Sequence, residues 1–223
     1  LSCINVELVG IDRNKPPIKT IEEQRMKAFW ADPYLWIHAA GIATVPLWLV
    51  ICFLGLAAGD PILPSSLEIL LIALAGIVPI AWMQWEKPFC IYSLVAITLK
   101  PEKLTENQRR ILTLFKQRRN PVFIGAGAGI LFLVLKQLYG NAVIASLITP
   151  IPNHLLGLVI AIVGFLGANL FLQVPLSVLQ VLQASETEFQ QAQPYDPRAI
   201  DTSFFELGFK VDRILPDLQD GMG

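Results

Sequence analysis

The stretch LLGLVIAIVGFLGANLFLQVPLSVL, residues Leu155–Leu179, decides the fold. It holds no Asp, Glu, Lys or Arg. Wound as a helix it rises about 37 Å, enough to cross a hydrocarbon layer of about 30 Å. The uncharged run is longer still, because residues 137–185 carry no charged side chain at all. Three further apolar stretches lie upstream, at about 35–57, 67–85 and 121–139. Of the 223 residues, 54% are hydrophobic and 16% charged, whereas soluble chains run at roughly 45–50% and about 25%. The pattern predicts an all-α integral membrane protein with four transmembrane helices and a membrane domain over 35–179.

The flanks of the spans agree with that reading. Trp30, Tyr34 and Trp36 gather at the start of the first span, and Trp82 and Trp85 at the end of the second, as interfacial aromatics do. Pro46 predicts a kink in the first span. Asp60-Pro61-Ile62-Leu63-Pro64 reads as a tight connection. Ser65-Ser66-Leu67-Glu68 has capping-box spacing, which makes Glu68 a cap and Asp60 a turn residue. Pro121 suits the first turn of the third span. Lys136 stands one turn before that span's expected end at Tyr139-Gly140, where an ammonium reaches water.

Outside the spans lie an N-terminal segment over 1–34, an insert over 86–120 and a tail over 180–223. Met26-Lys27-Ala28-Phe29-Trp30 reads as a natural beginning, so residues 1–25 read as an extension ahead of it. Within the insert, Phe89–Leu99 is apolar but too short to span, and is expected to be interfacial or re-entrant. Thr105-Glu106-Asn107-Gln108 is a second capping box. It opens an amphipathic helix with Ile111, Leu112 and Phe115 on one side and Arg109, Arg110 and Lys116 flanking it. That helix is predicted to lie on the membrane surface, its basic groups toward phosphates or an acidic partner. The tail is Gln- and Pro-bearing and reads as flexible. Its segment 203–218 holds a helical-spaced stripe, Phe204, Leu207, Val211 and Leu215, expected to dock on a partner protein in preference to the insert.

The basic residues set an orientation. Five precede the first span, eight lie in the insert, three in the tail, and one is Lys136. The short loops 58–66 and 140–154 hold none. By the positive-inside rule both termini and the insert face the cytoplasm. A net charge of −1 argues against a bulk electrostatic nucleic-acid binder.

Each candidate site has a plainer reading beside it. Gly125-Ala126-Gly127-Ala128-Gly129 lacks the Gly-Lys-Ser/Thr that a phosphate loop needs, so Gly125 and Gly129 are read as helix packing. Gly164 and Ala168 are read the same way. Asn169, Gln173, Ser177 and Gln180 make a polar stripe on the fourth span. It is either a ligand or ion path, or interhelical hydrogen bonding, and the second is preferred because no intramembrane carboxylate accompanies it. His38 is a candidate pigment ligand, for chlorophyll or haem, against the plainer reading of an interfacial histidine. Three distant cysteines give neither a disulfide framework nor a metal site. No His-Glu-x-x-His, Gly-x-Ser-x-Gly or triad is present, and the expectation is a protein without catalytic residues.

Three segments carry a resemblance: residues 29–38 (Phe29-Trp30-Ala31-Asp32-Pro33-Tyr34-Leu35-Trp36-Ile37-His38), 82–89 (Trp82-Met83-Gln84-Trp85-Glu86-Lys87-Pro88-Phe89) and 99–112, from Leu99-Lys100-Pro101-Glu102 to Arg110-Ile111-Leu112. The chain resembles the cyanobacterial low-complexity tail membrane protein family from about Met26 to the end of the fourth span. The resemblance implies a cyanobacterial host and a thylakoid membrane, and transfers no catalytic residue. In that setting membrane lipid and photosystem or other thylakoid subunits are the expected partners, and chlorophyll or carotenoid the cofactor class to consider. The expected role is an accessory, assembly or scaffold subunit of a photosynthetic complex; the alternative is a small transporter or channel lined by the polar stripe.

Overall fold

A computed structural model describes residues 29–94 and 96–215. The expected extension over 1–25 and the last residues of the docking segment lie outside them. Four helices in it are long and apolar enough to cross a membrane: Pro33–Leu56, Ser65–Glu86, Pro121–Ala145 and His154–Leu182. They run up and down in turn. One end of the bundle therefore carries the start of the first and third spans and the close of the second and fourth.

The first span is not one continuous helix. α1 (Pro33–Ala40) passes through a 3-10 turn, Gly41–Thr44, into α2 (Val45–Leu56). Pro46 sits in the first turn of α2. Its ring excludes the carbonyl four residues back and it has no N–H to give, so the irregular turn precedes the proline. Thr44 Oγ1 steadies that turn by donating to the Gly41 carbonyl at 2.8 Å. α3 (Ser65–Glu86) starts after Pro64 without a side-chain cap. The expected capping role of Glu68 is thus wrong, since its carboxylate is turned into the protein.

α5 (Pro121–Ala145) runs six residues beyond the predicted end of the third span at Tyr139. Lys136 therefore lies exposed about 13 Å before the helix end, not one turn from it. α6 (His154–Leu182) is the hub, packed against all three other spans. Its seam with the first span is made by small residues. A Cβ at Gly55 would stand 2.5 Å from the Gly157 carbonyl oxygen, and one at Gly164 2.5 Å from the Cys52 nitrogen. Such backbone approach is what small residues allow between membrane helices. The interior is filled by Cys52, Ile72, Leu131, Leu135, Ala161 and Phe165.

At the end where the first span begins, the insert and the tail fold together into a head. β1 (Ser93–Leu94) and β2 (Ile97–Leu99) form an antiparallel hairpin, and β3 (Phe209–Val211) of the tail joins β2 in parallel. α4 (Glu106–Gln117) has the predicted capping box, with Thr105 and Gln108 exchanging hydrogen bonds. α7 (Glu186–Gln191) and α8 (Pro197–Ser203) complete the head.

Three expectations fail here for one reason: the insert and the tail cover each other. Phe89–Leu99 does not re-enter the bundle: its strands pair with each other and with the tail, and Phe89 bridges to Phe205. α4 does not offer its apolar side to lipid. Ile111, Leu112, Leu114 and Phe115 are buried in a core shared with Phe29, Tyr92, Phe189, Ile200 and Phe204. The tail is not a flexible linker ending in a docking helix. Gly208 has φ 94° and a Cβ there would overlap the Ala96 carbonyl oxygen, so the chain turns into β3 and the helical stripe cannot form. Phe204 is buried, Leu207 is exposed, Val211 lies in β3, and Leu215 packs against the head core.

Candidate functional site

A buried polar cluster lies at the end of the bundle opposite the head. Glu68, in the first turn of α3, and His154, first residue of α6, are both buried. His154 Nε2 is 2.8 Å from Glu68 Oε1, and its Nδ1 is 2.7 Å from the Ala58 carbonyl oxygen. Tyr139 of α5 donates its hydroxyl to Glu68 Oε2 at 2.8 Å, and the Ile62 and Leu63 amides donate to Oε1. The carboxylate thus fastens the 57–64 loop to three helices. An acidic side chain is buried among the spans after all, which corrects the sequence expectation. Its oxygens are held by groups from three segments, the 57–64 loop, α5 and α6, and this is the arrangement of a clasp.

The polar stripe of the fourth span is spread over two neighbours. Asn169 Nδ2 donates to the Gly76 carbonyl of α3 at 3.0 Å, and Gln173 Nε2 to the Ile124 carbonyl of α5 at 2.9 Å. Ser177 donates to its own helix at Gln173, and Gln180 Oε1 accepts from the Asn120 amide. Both amide atoms of buried Gln84 and Oε1 of Gln173 have no partner. In the glycine stretch of α5, the middle residue faces inward. A Cβ at Gly127 would meet Gln173 Nε2 at 3.1 Å, whereas one at Gly125 or Gly129 would meet nothing within 4 Å. Gly125 and Gly129 do not pack within the bundle, so a packing role for them needs a helix outside it. Gly164 and Ala168 do face it, the first against α2 and the second fully buried.

The basic groups of α4 are turned to the tail. Arg109 Nη1 donates to the Tyr195 carbonyl, Arg110 to the Gln190 carbonyl and to Glu106, and Lys116 Nζ to the Tyr195 hydroxyl. Two of these bonds answer carbonyls of the tail, at the end of α7 and in the link before α8. Arg118, which the sequence reading passed over, anchors α7: its Nη2 lies 2.5 Å from both carboxylate oxygens of Glu188. Arg118 and the Ser185 backbone hold the Glu188 carboxyl down to about 2.

His38 binds the head to the first span, with Nε2 2.9 Å from the Ile91 carbonyl oxygen. That nitrogen is engaged in the fold, which weighs against the pigment-ligand reading. Nearby, Asp32 caps α1 through the Tyr34 amide at 2.9 Å and accepts from the Tyr92 hydroxyl at 3.2 Å. Burial pushes the Asp32 carboxyl up, and these hydrogen bonds oppose it. Burial also pushes the Cys90 thiol up to about 12, leaving it a protonated core residue. Among the described residues no group of three His, Cys, Asp or Glu is placed to hold a metal.

Residues 31–216 match the family described as low-complexity tail membrane protein-like. The chain belongs to this family. No curated protein and no solved structure matches it. In this family member the match takes in the whole described tail, which is folded against the insert and not a low-complexity extension.

Proposed function

We propose that this family member is a non-catalytic accessory or assembly subunit that docks sideways on a larger thylakoid complex, a photosystem, through the outer face of its third span. One observation carries the reading: Gly125 and Gly129 stand exposed, four residues apart, with nothing near the place a Cβ would take. Glycine inside a helix costs about 1 kcal/mol against alanine, and here no internal contact offsets it. Such a face lets a second membrane helix come close. Lys136 lies on the same side by helical spacing, exposed and without an ion pair among the described residues. A charged group held inside a span calls for an opposite charge, so the partner helix carries an acidic residue at that depth. The basic insert favours a cytoplasmic head.

The photosynthetic setting rests on the family resemblance alone. The transporter reading is weaker, because Asn169 and Gln173 are hydrogen-bonded to backbone carbonyls and Glu68 is enclosed. The test is mild-detergent native electrophoresis of thylakoids with mass spectrometry, on the wild type and a G125L/G129L double variant. Wild-type co-migration with photosystem subunits, lost in the variant while the chain stays in the membrane, supports the reading. A chain found only by itself, or as copies of itself, overturns it.

A further inference from the structure

The second and third spans leave a crevice of about 200 Å³ between them at the head end, lined by Trp85, Arg119, Pro121 and Ile124. Arg119 lies in the short link between α4 and α5. Its Nη1 donates at 2.6 Å to the Gln84 carbonyl, one of the last carbonyls of α3, which helix geometry leaves open. That bond fixes the direction of the guanidinium. No carboxylate among the described residues pairs with it, whereas Arg118 has Glu188 and Arg110 has Glu106. Burial pushes the Arg119 pKa down, the effect of drawing a cation out of water without a counter-charge.

The walls around this cation are apolar. Trp85 is exposed at the end of α3, in the position of an interfacial aromatic. Val122 and Phe123, exposed beside Ile124 at the start of α5, continue the apolar surface along the span. The crevice joins a directed guanidinium to a surface fit for hydrocarbon.

We infer that this crevice seats an anionic lipid, its phosphate or sulfonate on the Arg119 guanidinium and its first methylenes along Trp85, Pro121 and Ile124. A zwitterionic headgroup such as phosphatidylcholine also has a phosphate, but it brings its own ammonium beside the guanidinium, so a net-anionic lipid is the better partner for the unpaired cation. A free phosphate uses the cation but not the walls. Arginine suits the task because its planar donor fork matches tetrahedral oxyanions. About 200 Å³ is room for the charged group and the first carbons of one chain.

The experiment is native mass spectrometry of the full chain in neutral detergent, offered chain-matched phosphatidylglycerol or phosphatidylcholine. Phosphatidylglycerol is expected to be retained over phosphatidylcholine, and R119Q to lower its retention about tenfold, the scale of one charge-assisted hydrogen bond. Because Arg119 also holds the Gln84 carbonyl, W85A serves as a second variant that leaves that bond in place; it should lower retention and leave the preference for the anionic lipid. Equal retention of the two lipids overturns the inference, as does unchanged binding in both R119Q and W85A. Complete displacement of phosphatidylglycerol by inorganic phosphate also overturns it, since the site would then be a plain anion site.

Discussion

His154 and Glu68 form a buried pair in which the imidazole has an acceptor at each nitrogen. Nε2 faces the Glu68 carboxylate at 2.8 Å and Nδ1 faces the Ala58 carbonyl at 2.7 Å. The pair ties the first turn of α3 to the start of α6 and, through Ala58, to the loop between the first two spans. Removing one member leaves the other exposed to the low dielectric of the bundle.

E68A should therefore cost about 3–5 kcal/mol, the usual loss when one partner of a buried pair is removed. The double variant E68A/H154A should cost less than the sum of the two single changes. Denaturant unfolding in detergent reads both; strict additivity would mean that the two residues are not coupled.

The ion pair between Arg118 and Glu188 sets an acid limit for the head. The Glu188 carboxyl is held down to about 2, against about 4.3 in an unfolded chain. A depressed carboxylate stabilises above its unfolded value and loses that contribution as pH falls toward its folded one. Amide exchange in α7 should rise as pH drops from about 4.3 toward about 2, after correction for intrinsic rates. E188Q should exchange faster at neutral pH and lose that dependence; an unchanged profile in E188Q would remove Glu188 as its source.

The tail should prove to be part of the head. F204A deletes a fully buried aromatic that meets Tyr195 edge-on at 5.3 Å. A loss of about 3–5 kcal/mol is the scale for such a change. Limited proteolysis should then cut within 186–215. If the tail resists protease as the wild type does, the packing of Phe204 does not hold it.

Glycines on the two sides of the bundle should answer oppositely to alanine. G55A drives a Cβ to 2.5 Å from a backbone oxygen of α6 and should destabilise by about 1–3 kcal/mol. G125A and G129A meet open space and should be neutral or stabilise by up to about 1 kcal/mol each. Thermal unfolding of the three variants in one detergent is the comparison; a large loss in G129A would place that face inside the fold.

What the sequence makes legible is what local pattern determines. Four apolar runs and the Thr105/Gln108 capping box are written in consecutive residues, and each span was found with errors confined to its ends. The amphipathic face of α4 was legible as well, but not what covers it, because Phe189, Ile200 and Phe204 come from the distant tail. The glycine stretch shows that α5 has small faces; which one turns inward depends on the rotation of the helix, and Gly127, not Gly125, meets Gln173. Glu68 was hidden by a competing local pattern, Ser-x-x-Glu. The signal that could have exposed it is the place of His154, a histidine opening an apolar span on the same membrane face as the loop before Glu68.

The parallel pairing of β2 with β3 also imposes an order on biosynthesis. Lys100 waits for Asp212, 112 residues downstream, and Ser93 for the Leu207 carbonyl, 114 residues away. At roughly 5–20 residues per second, the insert emerges from the ribosome roughly 5–20 seconds before its partner strand exists. During that interval Ile91, Tyr92, Ile111 and Phe115 are made but have no tail to cover them, while two further spans are still entering the membrane. The newborn chain is therefore most open to chaperones, proteases and wrong partners in the insert until the tail closes the head.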